Sequence, residues 1–262
     1  MESISISHFK EAVTTYQPKK DGLPDDLLIS RGPQGLSTWY APFEYINRSA
    51  KLVICGITPG WQQANRALVV ARDAFAQGCS NSEALQIAKN TASFAGAMRS
   101  NLSRMLDRIG MQEYLGVDSC SDLFGARSDL VNYTSALKYP VFKNGTNYSG
   151  SNAMVSQPYL WNQSKEYLTE EIAALPKALW LPLGSSSTRV FERLVDENLI
   201  DGNRVLFGMP HASGANAERI KYFLGEKPRE LLSNKVKPEV IESGYSRLIE
   251  KMRLNMLQGS DL

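Results

Sequence analysis

Histidine and cysteine are scarce in this chain. His8 and His211, with Cys55, Cys79 and Cys120, are the whole supply in 262 residues. No Cys-x-x-Cys pair occurs, and three widely spaced cysteines fit neither a disulfide framework nor a structural zinc site. Cys55 falls in an apolar run and reads as a small core residue. Long apolar runs are missing too: none approaches the roughly 20 residues that span a bilayer. Residues Met1–Lys10 lack the charged-then-apolar layout of a signal peptide. The expectation is a cytoplasmic protein with no membrane partner. Charge of one sign is also lacking. A net charge of +2 neither demands nor forbids nucleic acid, because composition does not reveal a local basic face. There is no internal repeat and no low-complexity segment.

What is present is an ordinary globular composition, 43% hydrophobic and 21% charged, on a chain long enough for one large domain. Four short apolar runs, Lys51–Cys55, Leu130–Ala136, Ala178–Leu183 and Arg204–Phe207, are bounded by turn residues. That is the pattern of strands covered on both faces. Helical periodicity fills the gaps. Asn65–Ala76, Ser82–Lys89 and Gly96–Ile109 lie in the first, Lys165–Ala174 in the second and Ser187–Glu197 in the third. The alternation predicts an α/β fold, a parallel sheet with helices on both sides. A helix at Ser7–Tyr16 opens the chain. Another at about Pro238–Met256 closes it, with Leu257–Leu262 as a frayed tail. Residues 1–262 read as a single domain with an N-terminal extension over about 1–48.

In such sheets ligands bind at the carboxyl ends of the strands. The first strand ends in Gly56-Ile57-Thr58-Pro59-Gly60. Its glycines permit close backbone approach, its proline stiffens the turn, and Thr58 offers a hydroxyl. An ordinary strand-to-helix turn has the same make-up. The fourth strand runs into His211-Ala212-Ser213-Gly214-Ala215-Asn216. Histidine donates a hydrogen bond or changes protonation near neutral pH, and the Ser213 and Gly214 amides suit a phosphate. A satisfied core histidine beside a turn is the alternative. Gly184-Ser185-Ser186-Ser187, at a helix start, reads as a phosphate seat or as plain serine capping. It lacks the Gly-Lys-Ser/Thr ending of a Walker loop.

Taken together and in order, these segments resemble the uracil-DNA glycosylase superfamily. Gly56-Ile57-Thr58-Pro59-Gly60 matches its first motif, and His211-Ala212-Ser213 is similar to its last, His-Pro-Ser. Ser93-Phe94-Ala95-Gly96, with the helix that follows, resembles a phenylalanine-glycine segment of the iron–sulfur branch. Val131-Asn132-Tyr133-Thr134 resembles the strand that carries the base-reading asparagine, and Ala178–Arg189 fits the third strand and its helix. The resemblance covers about Leu52 to Leu224. It implies a three-layer α/β/α sandwich around a central four-stranded parallel sheet. It also implies a monomeric enzyme whose partner is DNA, hydrolysing the N-glycosidic bond of a flipped pyrimidine to leave an abasic site. By the same resemblance His211 donates to the carbonyl oxygen of the leaving base, and Thr58 stands where water is held. Phe94 stacks on the base, and Asn132, Gly56 and Ile57 read it. Gly184, Ser185, Ser213, Gly214 and Asn216 grip the DNA phosphates.

The sequence also departs from that pattern. Relatives carry Asp, Asn or Glu where Thr58 stands, and a threonine hydroxyl is a poor base near neutral pH. Asp129 is the candidate acid in its place, or else a capping or surface charge. Ala212 replaces the usual proline. Three cysteines cannot supply a four-cysteine cluster, so no iron–sulfur centre and no other cofactor is expected. Ala215 is too small to fill the gap a flipped base leaves in a duplex, unless the substrate is single-stranded or easily opened. Tyr139–Gln163, rich in aromatics, is either a pocket wall for a bulky base or a loop anchored in the core. Three alternatives follow: a glycosylase for hydroxymethylated or glucosylated cytosine acting against phage DNA, a catalytically silent DNA-binding module, and a nucleotide-binding α/β protein unrelated to DNA.

Overall fold

A computed structural model describes residues 4–19 and 22–259. Residues 1–3 of the N-terminal stretch and 260–262 of the expected tail lie outside the described residues. In chain order the elements are α1 (Ile6–Thr14), β1 (Leu28–Arg31), β2 (Leu36–Trp39), β3 (Leu52–Gly56), α2 (Trp61–Ala76), α3 (Asn81–Ala92), α4 (Ala97–Arg108) and α5 (Met111–Leu115). Then come β4 (Val131–Ser135), β5 (Val141–Lys143), β6 (Thr146–Asn147), α6 (Ala153–Ser156), α7 (Pro158–Ala174), β7 (Leu179–Pro182), α8 (Gly184–Asp196), α9 (Ala217–Phe223) and α10 (Pro238–Gly259). The chain divides into two compact units, each built from three segments. The first holds Met1–Ile46, Ile57–Ala95 and Tyr133–Glu171; the second holds Asn47–Gly56, Gly96–Asn132 and Ile172–Leu262. No helix among the described residues is long and apolar enough to cross a membrane.

In the first unit, α2 and α3 pack through small residues. Ala64, Ala67, Leu68 and Ala71 recur at helical spacing and are fully buried, as are Ala84, Ala88 and Ala92 of α3. Ser80 starts α3 with a reciprocal cap: its hydroxyl accepts from the Glu83 amide, and the Glu83 carboxylate accepts from the Ser80 amide at 2.8 Å. Beside these helices lies an antiparallel sheet in the order β1-β2-β5-β6. The stretch expected to be an N-terminal extension therefore supplies two of its strands. The other two come from inside the expected Tyr139–Gln163 loop. They form a hairpin around Asn144-Gly145, whose φ values of 50° and 76° are those of the two-residue turn that matches strand twist. The aromatics of that segment are mostly core: Tyr139, Phe142, Tyr148 and Trp161 are all buried.

In the second unit, every residue of β3 is buried, and β3 pairs in parallel with β7 from Leu52↔Leu179 to Cys55↔Pro182. Cys55 lies in that core. The sheet order is β4-β3-β7, three strands among the described residues. The fourth strand expected at Arg204–Phe207 shrinks to one parallel bridge, Trp180↔Val205, with the Leu206 amide donating to the Trp180 carbonyl at 2.8 Å. Its neighbours explain why. Gly202–Arg204 winds into a 3-10 turn capped by Asp201, whose carboxylate accepts from the Asn203 amide. On the other side Gly208 turns away at φ 122°, and Pro210 has no amide to give. Gly208 also lies so close to Gly244 of α10 that a Cβ there would be 2.5 Å from its Cα. Helix α8 packs on β3 and β7 through Val190, Phe191 and Leu194.

Candidate functional site

The carboxyl end of β3 and the amino end of α8 meet in the second unit. Ser187, fully buried, donates to the Gly56 carbonyl at 2.8 Å. The helix begins at Gly184, earlier than periodicity indicates, because Gly184 alone tolerates φ 72° there. A Cβ on it would lie 3.0 Å from the His211 Cβ. The Gly184 amide donates to the Met209 carbonyl at 2.9 Å and ties the helix start to the segment leading into His211. That amide is therefore spent on the fold and cannot also hold a phosphate. Ser185, the next residue, is exposed at the first turn.

His211 is half-buried, and burial lowers its pKa below the ordinary 6.5. The Ser213 amide donates to His211 Nδ1 at 3.2 Å. An amide can only donate, so Nδ1 carries a lone pair and the ring proton sits on Nε2. The imidazolium would carry a proton on Nδ1 and break this bond. The amino end of α8, with its partial positive charge, disfavours the imidazolium further. His211 is thus a neutral imidazole whose Nε2–H has no partner among the described residues. Asn101 of α4 braces the loop, its Nδ2 donating to the Ala212 carbonyl at 2.9 Å. No periodicity or motif singles out that asparagine. Further along, Gly214 and Ala215 are exposed. The Asn216 side chain is engaged internally, donating to Ser213 Oγ at 3.1 Å and accepting from Arg219 at 3.3 Å.

Thr58 belongs to the first unit and has a different character. Its hydroxyl donates to the Tyr139 carbonyl and accepts from the Val141 amide, both at 3.0 Å. The Ile57 carbonyl accepts from the Leu137 amide at 2.9 Å. Thr58 therefore pins the chain that leaves β4, and its one proton is already committed. Phe94, also in the first unit, is buried, with its ring edge-on to Tyr133 at 5.9 Å. Its φ of 51° is rare for a bulky side chain and marks a held backbone.

Asn132 lies in the second unit near the amino end of β4. It is buried, and its Oδ1 accepts from the Asn47 amide at 3.1 Å. Asn47 in turn donates through Nδ2 to the carbonyls of Ser128, Asp129 and Val131. Asn47 is the residue that sequence reasoning passed over here, since nothing in its local pattern marks it as a hub. Asp129 precedes the strand, is exposed, and pairs with Arg127 at 3.2 Å. That hydrogen bond holds its carboxyl below the usual range. It is a surface ion pair.

No family model matches the chain. The chain is 35% identical over 222 residues to the uncharacterized protein YoxB of Bacillus subtilis (strain 168), across 84% of this chain and 86% of that one. No solved structure matches.

Proposed function

The chain belongs to the family of Bacillus subtilis YoxB, and we propose that it is a DNA glycosylase hydrolysing the N-glycosidic bond of a flipped pyrimidine. The proposal includes the finer fold, a three-layer sandwich in which the Val205 bridge stands in place of a fourth strand. The observation that carries it is the state of His211: neutral, with Nδ1 held by the Ser213 amide and Nε2–H left to donate. Breaking the bond to the base leaves an oxocarbenium-like sugar and an anionic base. His211 donates to the carbonyl oxygen on which that negative charge gathers. Water then adds to the sugar carbon, the glycosidic bond electrons leave with the base, and a proton from the water restores neutrality. Because the Thr58 hydroxyl is too weak a base to take a proton from water and is held by Tyr139 and Val141, water is not activated there; the electrophilic sugar itself is the driving partner. Ser185, Ser213 and Gly214 face the DNA phosphates in this reading, with Gly184 and Asn216 supporting them.

The test is release of free base, with formation of abasic sites. The substrates are strands containing uracil and, separately, hydroxymethylated or glucosylated cytosine. Cleavage of either, lost in His211→Ala, supports the reading. Its absence from all of them, with DNA still bound, turns the case to a silent DNA-binding module. Two observations favour that second reading: the committed hydroxyl of Thr58 and the Asn132 oxygen engaged by Asn47. The aromatics that motivated a bulky modified base are largely buried, which leaves uracil the simpler substrate.

A further inference from the structure

The first unit holds a concavity of about 720 Å³ that includes no residue of the His211 loop. It falls within the roughly 300–1,000 Å³ typical of small-molecule sites. Its walls are the β1-β2 hairpin, the Asn144-Gly145 hairpin and the first residue of α2. We propose that this pocket binds a nucleotide unit, a base with its phosphate.

Three features point to that ligand. The first is aromatic surface. Trp39 and Trp61 both line the pocket and are only half-buried, whereas Trp161 and Trp180 are core residues at 5% and 0% exposure. Partly exposed indoles at the wall of a concavity suit stacking by a planar base. The second is charge. Arg31 lines the pocket, and among the described residues no carboxylate does. Its ion pair with Asp25, at 3.8 Å with both side chains well exposed, is screened and easily exchanged for a phosphate. Trp61 opens α2, whose first turn has no acidic residue, so that helix end brings no negative charge to the pocket. The third is polar reach. Asn147 Oδ1 accepts from the Trp61 amide at 2.8 Å, which leaves its Nδ2 to donate to a ligand. The Asn144 side chain lies over Gly35 and has no hydrogen bond among the described residues. An anion with a flat ring and polar edges satisfies all three features. Among the described lining residues a cationic ligand finds no counter-charge, and a purely apolar one leaves Arg31 and the Asn144 and Asn147 side-chain amides unused.

The ligand can come from a free nucleotide or from a residue of a single strand. The test uses thymidine monophosphate and an eight-residue oligothymidylate, titrated against the full chain while tryptophan fluorescence is followed. Quenching reports on Trp39 and Trp61, because the other two tryptophans are buried. Binding of the oligonucleotide alone assigns the site to a strand; equal binding of the mononucleotide assigns it to free nucleotides. Arg31→Gln, a surface change that the fold tolerates, weakens binding about tenfold and flattens its salt dependence. Trp61→Leu weakens it by about tenfold through lost stacking, as read by anisotropy of a labelled oligonucleotide. No quenching by either probe overturns the proposal, as does affinity unchanged in the Arg31→Gln/Trp61→Leu double variant. His211→Ala leaves the quenching intact, so failure here and failure of the glycosylase reading are separate results.

Discussion

The His211–Asn216 loop and the Gly56–Gly60 loop look alike on paper, each a turn after an apolar strand with one polar side chain. In the structure they differ in what that side chain still has to give. His211 spends its acceptor on the Ser213 amide and keeps a donor free. Thr58 spends its donor on Tyr139 and an acceptor on Val141. A side chain is available for chemistry only after the backbone's own hydrogen-bonding needs are met. Motif position alone does not reveal that balance.

The comparison can be broken most directly at His211. His211→Ala should lower base release by about 10²–10³ while DNA affinity, measured by gel shift, stays within a few fold. An equal loss of both would make the histidine a structural residue. Thr58→Val should do the opposite. It strands a backbone donor and acceptor, each costing about 1–3 kcal/mol, and should show first in urea unfolding. Thr58→Ser should restore that stability, and if Thr58→Val instead abolishes turnover in a fully stable protein, the contrast between the loops is wrong. Gly184→Ala comes next. Left-handed backbone costs about 1–2 kcal/mol for a non-glycine residue, and the new methyl crowds His211. Lower melting temperature and reduced turnover are expected together. Ser187→Ala removes the buried bond to Gly56 and should cost about 0.5–1.5 kcal/mol without touching His211.

The smallest effect is that of pH. With its folded pKa below the ordinary 6.5, His211 resists protonation that the unfolded chain accepts. Its stabilising contribution is therefore complete above 6.5 and lost as pH falls from there to the lowered folded value. Base release should be level on the alkaline side of that window and decline on the acid side. His211→Ala should remove the stability component of this acid limb, which calorimetry at stepped pH would show.

Much of the second unit was legible in the sequence. Leu52–Cys55 and Ala178–Leu183 are apolar throughout because a strand covered on both faces has no solvent side to mark with polar residues. The first unit was less legible, though one signal was present. Asn144-Gly145 between Val141–Lys143 and Thr146–Asn147 is a strong short-range hairpin signature, masked by reading the whole stretch as a loop. The short strands Leu28–Arg31 and Leu36–Trp39 gave no comparable pattern. Arg204–Phe207 had the composition of a strand but lies between a 3-10 turn and Gly208, which leave room for one bridge.

By itself the sequence determined the α/β class, the buried parallel strands, the histidine of the 211–216 loop, and the absence of metal-binding cysteine spacing. Only the tertiary structure decided which polar groups remain free. Asn132, Thr58 and Asp129 are satisfied by Asn47, by the Tyr139–Val141 backbone and by Arg127. In the Asn132 and Thr58 cases the partners lie dozens of residues away in the chain. A hydrogen bond between distant segments leaves no periodic trace in either one. For that reason the site's elements could be named from the chain, but the state of each group in them could not.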